Sequence, residues 1–327
     1  MYKDLIKSIA TLNCQSQLCV LGSAMIDLRM NVARLPISGE DTLLDYKSMH
    51  LGGCAFNIAL ALKRIGVEAY SALPIGKGLW ATQTAQLLRH YGISSPLYNE
   101  HLDNGWCMAL VEPSGERTFF TVEGAETHWN DEVFQQIHVE PNAIIYLSGY
   151  QLLSPSGIKV EQWLQRLKSP FRLVIDFGPR IERLTKQQLH QLLNFRPLLT
   201  LNRQEAHYLA KLEDKPHLFE KDIASFAQYW QDTYDLALLI RLDQQGALVQ
   251  DKTIKHVTAF PATVKDSIGA GDSHTAGILA GLSSSWSLEK ATLLGNAIAS
   301  YVVAHQGGDC SPTKEQLIQW LETSPFF

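Results

Sequence analysis

The chain has 327 residues, of which 46% are hydrophobic and 19% are charged, and its formal net charge at pH 7 is -5. This composition is typical of a globular protein with a large core, and the absence of a basic stripe argues against a nucleic-acid partner. No apolar run approaches the ~18 residues that a membrane-spanning helix needs, so no membrane partner is predicted.

Residues 1–17 predict a polar, weakly amphipathic helix that forms an N-terminal extension. They lack the continuous apolar segment and the small-residue cleavage site of a signal peptide. The five cysteines are odd in number and contain no C-x-x-C pair, which argues against a zinc site or a disulfide framework. We therefore expect reduced thiols and a cytoplasmic location.

From residue 18 onward, short apolar runs alternate with longer amphipathic segments. Near-continuous apolar strands are what a parallel sheet covered on both faces requires. The predicted fold is a single doubly wound α/β domain over residues 18–327, with ligands beyond the carboxyl ends of its strands. The strand-like runs lie at 18–22, 143–149, 172–178, 198–202 and 236–242, and helical patterns lie at 57–66, 271–305 and 313–323.

Two segments, 28–50 and 103–124, interrupt this alternation and have the pattern of β-ribbons. The second contains the sequence P-S-G between two strand-like runs, which is a hairpin signal. We expect both segments to form a small separate sheet that acts as a lid; an extension of the main sheet is the alternative. Because such a ribbon exposes strand edges and an apolar face, we also predict a homodimer formed through the lids.

Residues 266–277 read D-S-I-G-A-G-D-S-H-T-A-G, a glycine-rich turn that leads into a helix. Glycines let backbone N–H groups approach an anion, and a helix N-terminus adds unpaired N–H donors and a positive dipole end. Gly269, Ala270 and Gly271 are therefore candidates for an anion hole. Asp272 is the candidate general base for an attacking hydroxyl. The alternative is a turn whose acid only stabilises the helix dipole.

Four motifs follow one another along the chain: G-S-A-M-I-D (22–27), L-G-G-C-A-F-N (51–57), N-R-Q-E (202–205) and D-S-I-G-A-G-D (266–272). In this order they resemble the motifs of the ribokinase-like, or PfkB-type, carbohydrate and nucleoside kinases. The resemblance covers about residues 18–320, and four motifs in order are far more specific than any one of them. It implies a ribokinase-like fold with a small β-sheet lid, and ATP-dependent phosphoryl transfer to a hydroxyl of a sugar or sugar derivative.

The resemblance also implies roles for individual residues. Glu205 would order water around Mg²⁺. Asp266 lies in a loop that resembles the family's monovalent-cation site, which implies that K⁺ could activate the enzyme. Structural alternatives exist, among them a turn-capping role for Asp27, a helix-dipole role for Glu205 and a locally bonded amide for Asn296. The residues implied for the sugar are Asp27, Gly52, Gly53 and Asn57, and those implied for the nucleotide are Asn202, Glu205, Gly246 and Asn296.

The chain departs from the family pattern at four positions. Gly78 stands where an aspartate is frequent, Gly178 where an asparagine is frequent, Asp243 in place of a glycine and His274 in place of a large apolar residue. These departures leave the expected phosphoryl-transfer residues in place and leave the identity of the acceptor open. We expect His274 to be a packed core histidine.

Two other functions remain open at this point. A nucleoside kinase of the same fold would need an aromatic clamp for the base, for which Trp106, Phe119 and Phe120 in the second ribbon are candidates. A non-catalytic sugar- or nucleotide-binding protein is the other alternative. An intact Asp272 argues against it, because a binding protein needs no general base.

Overall fold

Two β-sheets and their flanking helices make up the computed structural model, which describes residues 2–323. The strands are β1 (Leu18–Leu21), β2 (Met25–Asn31), β3 (Asp45–Gly52), β4 (Tyr70–Ala72), β5 (Trp106–Val111), β6 (Arg117–Val122), β7 (Ala143–Ser148), β8 (Phe171–Asp176), β9 (Leu198–Asn202), β10 (Leu238–Arg241), β11 (Ala247–Asp251) and β12 (Thr253–Val257). The helices are α1 (Tyr2–Ala10), α2 (Cys54–Arg64), α3 (Leu79–His90), α4 (Asp131–Gln135), α5 (Gly149–Leu152), α6 (Gly157–Arg166), α7 (Lys186–Leu193), α8 (Arg203–Leu212), α9 (Pro216–Lys221), α10 (Ile223–Tyr234), α11 (Ala270–Ser283), α12 (Leu288–Val303) and α13 (Lys314–Glu322).

The main sheet has the order β12-β11-β10-β9-β8-β7-β1-β4, and every neighbouring pair from β10 to β4 is parallel. Successive side chains of a strand point to opposite faces. Val20 therefore joins the core under α2, α11 and α12, whereas Leu21 joins the core under α6, α7, α8 and α10. Helices on both faces of a mainly parallel sheet confirm the predicted fold class. The antiparallel pair β11 and β12 at one edge was not predicted.

The predicted N-terminal helix is α1, and it contributes to the core of the main domain. Leu5 and Ile9 are four residues apart, so they lie on one face of the helix. Both side chains are buried in the core that also contains Leu317 and Leu321 of α13. The first helix therefore packs beside the last one, at the same side of the sheet.

The four remaining strands form a second sheet, which we call the lid sheet, in the order β3-β2-β5-β6. The pairs β2–β3 and β5–β6 are antiparallel hairpins, and the pair β2–β5 is parallel. Within residues 2–323, the lid sheet pairs with no strand of the main sheet, so the prediction of a separate small sheet is confirmed. Its first strand begins at Met25, three residues before the predicted ribbon, because Met25 pairs with Gly52.

Two of the departures from the family pattern lie at left-handed backbone positions. Gly178 has φ 55° and follows β8, and Asp243 has φ 54° and follows β10. Glycine, asparagine and aspartate are the residues that adopt this region most readily. Exchange among them therefore preserves the turns at the carboxyl ends of these two strands.

A neighbouring carboxylate explains the departure at Gly78, the N-cap of α3. Asp103, just before β5, accepts hydrogen bonds from the backbone N–H groups of Trp80 (3.2 Å) and Ala81 (2.7 Å). A Cβ at position 78 would lie 2.4 Å from the Asp103 carboxylate. The helix start therefore receives its carboxylate from Asp103, and this contact fixes the base of the lid sheet to α3.

Candidate active site

A cavity of about 290 Å³ lies between the lid sheet and the main domain. Asp27 and Gly52 line it from the lid sheet, and Asn57 and Asp266 line it from the main domain. Asp27 and Gly52 follow the carboxyl end of β1 and precede α2, so the cavity lies where ligands bind in open α/β sheets. The structure thus brings together three of the four residues predicted for the sugar.

Asp272 lies behind Asn57, in the first turn of α11. The Asn57 Nδ2 donates a hydrogen bond of 2.7 Å to Asp272 Oδ2, and the Cys54 thiol lies beside the same carboxylate. Burial raises the pKa of Asp272 to about 6, while the hydrogen bond from Asn57 acts in the lowering direction. Burial and the Asp272 charge raise the pKa of Cys54 well above its ordinary value, so Cys54 is a neutral thiol.

The glycine-rich turn before Asp272 has one crowded side and one open side. Gly269 has φ 75°, and a Cβ there would lie 2.7 Å from the Gly308 carbonyl oxygen, so the position requires glycine. The Ala270 N–H donates a hydrogen bond of 3.3 Å to the Ser267 carbonyl oxygen. The N–H groups of Gly271 and Asp272 point out of the first helical turn without intrahelical acceptors. A Cβ at Gly271 would meet no atom nearer than Arg241 Cζ, at 3.9 Å.

Arg241 lies under this turn and was not predicted as a site residue. Its guanidinium donates to Asp176 Oδ2 at 2.6 Å, to Thr200 Oγ1 at 3.1 Å and to Glu205 Oε2 at 3.4 Å. Burial lowers the pKa of Arg241, but the two carboxylates outweigh it and hold the guanidinium charged. The signal in the sequence was a single arginine at the end of the apolar run 236–242, since a buried charge needs a partner.

Asn202 and Glu205 form a reciprocal capping box at the start of α8. The Glu205 N–H donates to Asn202 Oδ1 at 2.8 Å, and the Asn202 N–H donates to Glu205 Oε2 at 2.8 Å. Burial and the neighbouring Asp176 raise the pKa of Glu205 to about 7. The observed contacts of Asn202 and Glu205 are therefore those of a helix start, in line with the structural alternative for Glu205. A nucleotide role for both residues stays a prediction.

Asn296 and Gly246 hold the end of β12 in place. The Asn296 amide donates to the carbonyl oxygens of Val257 (3.1 Å) and Thr258 (3.0 Å), and its oxygen lies 3.0 Å from His274 Nε2. This orientation makes Asn296 an acceptor, so His274 carries its proton on Nε2. A Cβ at Gly246 would lie 2.1 Å from the Val257 carbonyl oxygen. These local contacts match the structural alternative for Asn296, and nucleotide contacts of both residues stay predictions.

His274 is a buried core histidine, as expected. Burial first and the nearby Arg241 charge second lower the pKa of His274 to about 3. The ring therefore stays neutral across the physiological pH range and cannot serve as a second base of ordinary strength.

Asp27 belongs to β2, where it pairs with His50 on one side and Cys107 on the other. Its carboxylate accepts no hydrogen bond from residues 2–323, so nothing supports the turn-capping alternative. Burial raises the pKa of Asp27 to about 6. A Cβ at Gly52 would lie 2.0 Å from Asp27 Oδ2, so the glycine makes room for this carboxylate.

The remaining predicted positions have clear structural settings. Gly53 is the N-cap of α2 with φ 105°, and a Cβ there would lie 2.5 Å from the Ser23 carbonyl oxygen. Asp266 accepts hydrogen bonds from the N–H groups of Ile268 (3.1 Å) and Gly307 (3.2 Å). Asp266 thus joins the turn before α11 to the loop after α12.

The three aromatic candidates of the second ribbon have different surroundings. Trp106 stacks on Trp80 with ring centroids 5.4 Å apart, which is a packing role. Phe119 lines the cavity, whereas Phe120 is not among the residues that line it. Phe119 is therefore the aromatic side chain that a ligand in this cavity would meet.

Comparison with known proteins identifies the family. Residues 15–314 match the family described as pfkB family carbohydrate kinase. The chain belongs to the pfkB family of carbohydrate kinases. It is 44% identical over 310 residues to the "Uncharacterized sugar kinase YegV" of Escherichia coli (strain K12), and the match covers 94% of each protein.

Solved structures of ribokinases have the same fold as this chain. The ribokinase of Thermotoga maritima superposes with a TM-score of 0.78 and 20% identity, covering 94% of this chain and 100% of the other. The Arabidopsis thaliana ribokinase complexed with ribose and ATP gives a TM-score of 0.76 at 21% identity and covers 94% and 99%. At these identities the match shows the fold alone. The family match and the sugar kinase relative confirm the predicted family and carbohydrate kinase activity, and the superpositions confirm the fold class. Among residues 2–323, none of the helices combines the length and the hydrophobicity that a membrane span requires.

Proposed function

We propose that this pfkB-family enzyme transfers the γ-phosphoryl group of ATP to a hydroxyl of a sugar or sugar derivative, with Asp272 as the general base. The observation that carries the proposal is the position of Asp272 beside the open N–H groups of the α11 first turn, directly behind a cavity residue, Asn57. Nucleophile, base and phosphate would then meet at one helix start, as an in-line transfer requires.

The chemistry proposed for this turn has two parts. The Asp272 carboxylate accepts the proton of the attacking hydroxyl, and its raised pKa makes it a stronger base than an ordinary aspartate. The N–H groups of Gly271 and Asp272 donate to the transferring phosphoryl oxygens, where the helix dipole also favours negative charge. Arg241 lies below the turn, where Asp176 and Glu205 compensate its charge, so the helix N–H groups are the donors proposed for phosphate.

The proposal includes Mg²⁺, which would neutralise phosphate charge when bound with ATP. Within residues 2–323, no cluster of three or more histidine, cysteine, aspartate or glutamate side chains could hold a metal ion. In the proposal, Mg²⁺ is held mainly by the phosphates of ATP and by water, and Glu205 contacts it only through water. Asp266 is the proposed residue for a monovalent cation such as K⁺, and the turnover of a K⁺-free enzyme tests that assignment.

A nucleoside kinase of the same fold is the second candidate, and Phe119 is the observation that favours it. This side chain lines the cavity, where it could stack on a base. A base clamp commonly needs two apolar faces, and the two other ribbon aromatics lie elsewhere. We therefore place the sugar acceptor first.

ADP release by the full chain, with MgATP and a mixed panel of sugars and nucleosides, tests the proposed function. Asp272→Asn should bind ATP but form ADP about 10²- to 10⁴-fold more slowly with the best acceptor. Asp232→Asn, on the exposed side of α10, is the matched control and should behave like wild type. Wild-type turnover in Asp272→Asn would remove the assigned base, and ATP binding without any acceptor turnover would favour a binding protein.

A further inference from the structure

One face of the lid sheet presents positive charge to the cavity. Arg29 and Arg117 both line it, together with His50. Neither guanidinium forms an ion pair or a side-chain hydrogen bond with any residue from 2 to 323. Arg180 and Arg241 differ, because each pairs with a carboxylate.

The strand register places Arg29 and Arg117 farther along the lid sheet than Asp27, on the side away from the turn at residues 269–272. Arg29 follows Asp27 by two residues on β2, so their side chains share a face, and Arg117 pairs with Val111, the partner of Asn31. At ~3.3 Å per residue, Arg29 lies ~7 Å along β2 from Asp27, and the register of Arg117 lies ~13 Å along it.

The beginning of β2 lies near the base, whereas its end lies far from it. Met25 pairs with Gly52, which precedes Asn57 by five residues, and Asn57 contacts Asp272. An acceptor with one hydroxyl at Asp272 and others at Asp27 would therefore extend its far end toward the two guanidiniums.

The acidic residues of the cavity do not neutralise this charge. Asp266 accepts two backbone hydrogen bonds, and Asp309 accepts one of 2.9 Å from the Tyr91 hydroxyl. Both belong to the main-domain wall, opposite the lid sheet. Asp27 shares the face of Arg29 but forms no ion pair with it in the described part of the chain.

We propose that the phosphoryl acceptor carries an anionic group, a carboxylate or a phosphate, which Arg29 and Arg117 bind at the end of the cavity remote from Asp272. The planar fork of arginine matches both anions through paired hydrogen bonds. A neutral sugar would leave both guanidiniums with water alone. The inference rests on the proposed function, because it names the acceptor class of the same site.

Matched acceptor pairs test the inference with the full chain and MgATP. The pairs are a hexonate with its hexose and a hexose monophosphate with its hexose, so the two anions are compared separately. ADP release is measured for wild type, Arg29→Gln, Arg117→Gln, the double variant and Arg117→Lys. Arg166→Gln, at the exposed end of α6, is the matched control for a lost surface charge.

An anionic member should be the better acceptor of its pair. The double variant should raise KM for that acceptor about 10- to 150-fold and leave KM for the neutral member unchanged. Arg117→Lys should recover part of the loss, because lysine keeps the charge without the fork. Equal use of neutral and anionic members, or a KM change shared by both, would overturn the inference.

The test separates this inference from the proposed function. Turnover of neutral sugars without preference for anions would support the kinase activity and remove the anionic acceptor. If no panel member is turned over, the proposed function fails, and the same pairs are then titrated against the protein by calorimetry. Failure of the anionic member to bind more tightly than its neutral partner would overturn the inference in that case as well.

Discussion

The Asn57 side chain donates a hydrogen bond of 2.7 Å to Asp272, a residue 215 positions away in the chain. The family resemblance implied a sugar contact for Asn57, but in this structure its amide holds the proposed base. The bond connects the first turn of α2, which follows the glycine pair, to the first turn of α11. Asn57 thus lies between the cavity and the proposed general base.

Activity should rise with pH through about 6, because the Asp272 carboxyl must lose its proton to act as a base and burial raises its pKa to about 6. The bond from Asn57 favours the ionised form, so Asn57→Ala should move this rise in kcat to higher pH. The pH profile of kcat for both proteins checks this. A higher KM with an unmoved profile would assign Asn57 to the sugar alone.

The same carboxyl should make the protein less stable as the pH rises. Its pKa is higher in the folded than in the unfolded state, so its stabilising contribution is present below about 4 and is lost by about 6. Asp272→Asn keeps an acceptor for Asn57 but carries no charge. It should therefore melt at a higher temperature than wild type at pH 8 and show no such gain at pH 4. A lower melting temperature at pH 8 would contradict this account.

Asp27→Ala should raise KM for the acceptor about 10- to 150-fold and leave KM for ATP unchanged, because its carboxylate lines the cavity where we propose that the acceptor binds. Gly52→Ala should give the same pattern, since its Cβ would lie 2.0 Å from Asp27 Oδ2 and displace it. Initial rates with varied acceptor and varied ATP separate the two constants. An unchanged acceptor KM in folded Asp27→Ala would contradict the assigned role.

Gly271→Ala should be folded and up to about 1 kcal/mol more stable, because alanine is the better helix former and its Cβ meets only Arg241, at 3.9 Å. It should nevertheless lose turnover, because the added methyl group occupies the side from which we propose that phosphate approaches. Gly269→Ala is the contrasting variant, because φ 75° and the Gly308 backbone should destabilise it. Thermal unfolding and kcat are measured for both variants. Full activity in Gly271→Ala would show that phosphate does not approach the turn from this side.

Arg241→Met should destabilise the protein by about 3–5 kcal/mol at pH 8, because it leaves Asp176 and Glu205 buried beside each other without a cation. The loss should shrink as the pH falls and the Glu205 carboxyl, whose pKa is raised to about 7, takes up a proton. Arg203→Met removes only an exposed bond to Gln245 and is the control. Urea unfolding at several pH values measures both, and a pH-independent loss would mean that packing, not charge, is what Arg241 supplies.

The lid sheet leaves apolar side chains in water, and we expect it to form the dimer interface. Leu43, in the loop just before β3, is 92% exposed, and Phe120 of β6 is 51% exposed. Leu43→Asp together with Phe120→Asp should give a monomer by sedimentation equilibrium. Ile158→Asp, a substitution of an exposed residue outside the lid sheet, should leave the dimer intact. A monomeric wild type at working concentrations would contradict the prediction.

Local sequence determined the parts of this protein that depend on short-range patterns. The run at 198–202 became β9 with the same bounds, since its first four residues, three leucines and Thr200, fit a strand covered on both faces. The position of the glycine-rich turn and of Asp272 at a helix start was predicted from local spacing, because a helix start and its carboxylate are neighbours in the chain. Residues 247–257 were not predicted as strands, because the Asp251–Lys252 turn between β11 and β12 contains no glycine.

Only the tertiary structure decided which distant groups meet. Asn57 reaches Asp272, and Arg241 reaches Asp176, because strands and helices far apart in sequence end at the same edge of the main sheet. The register of the lid sheet likewise brings Arg29 and Arg117 to one cavity face. A sequence pattern reports the periodicity of each element, whereas the pairing of buried charges depends on distances between elements that no single segment contains.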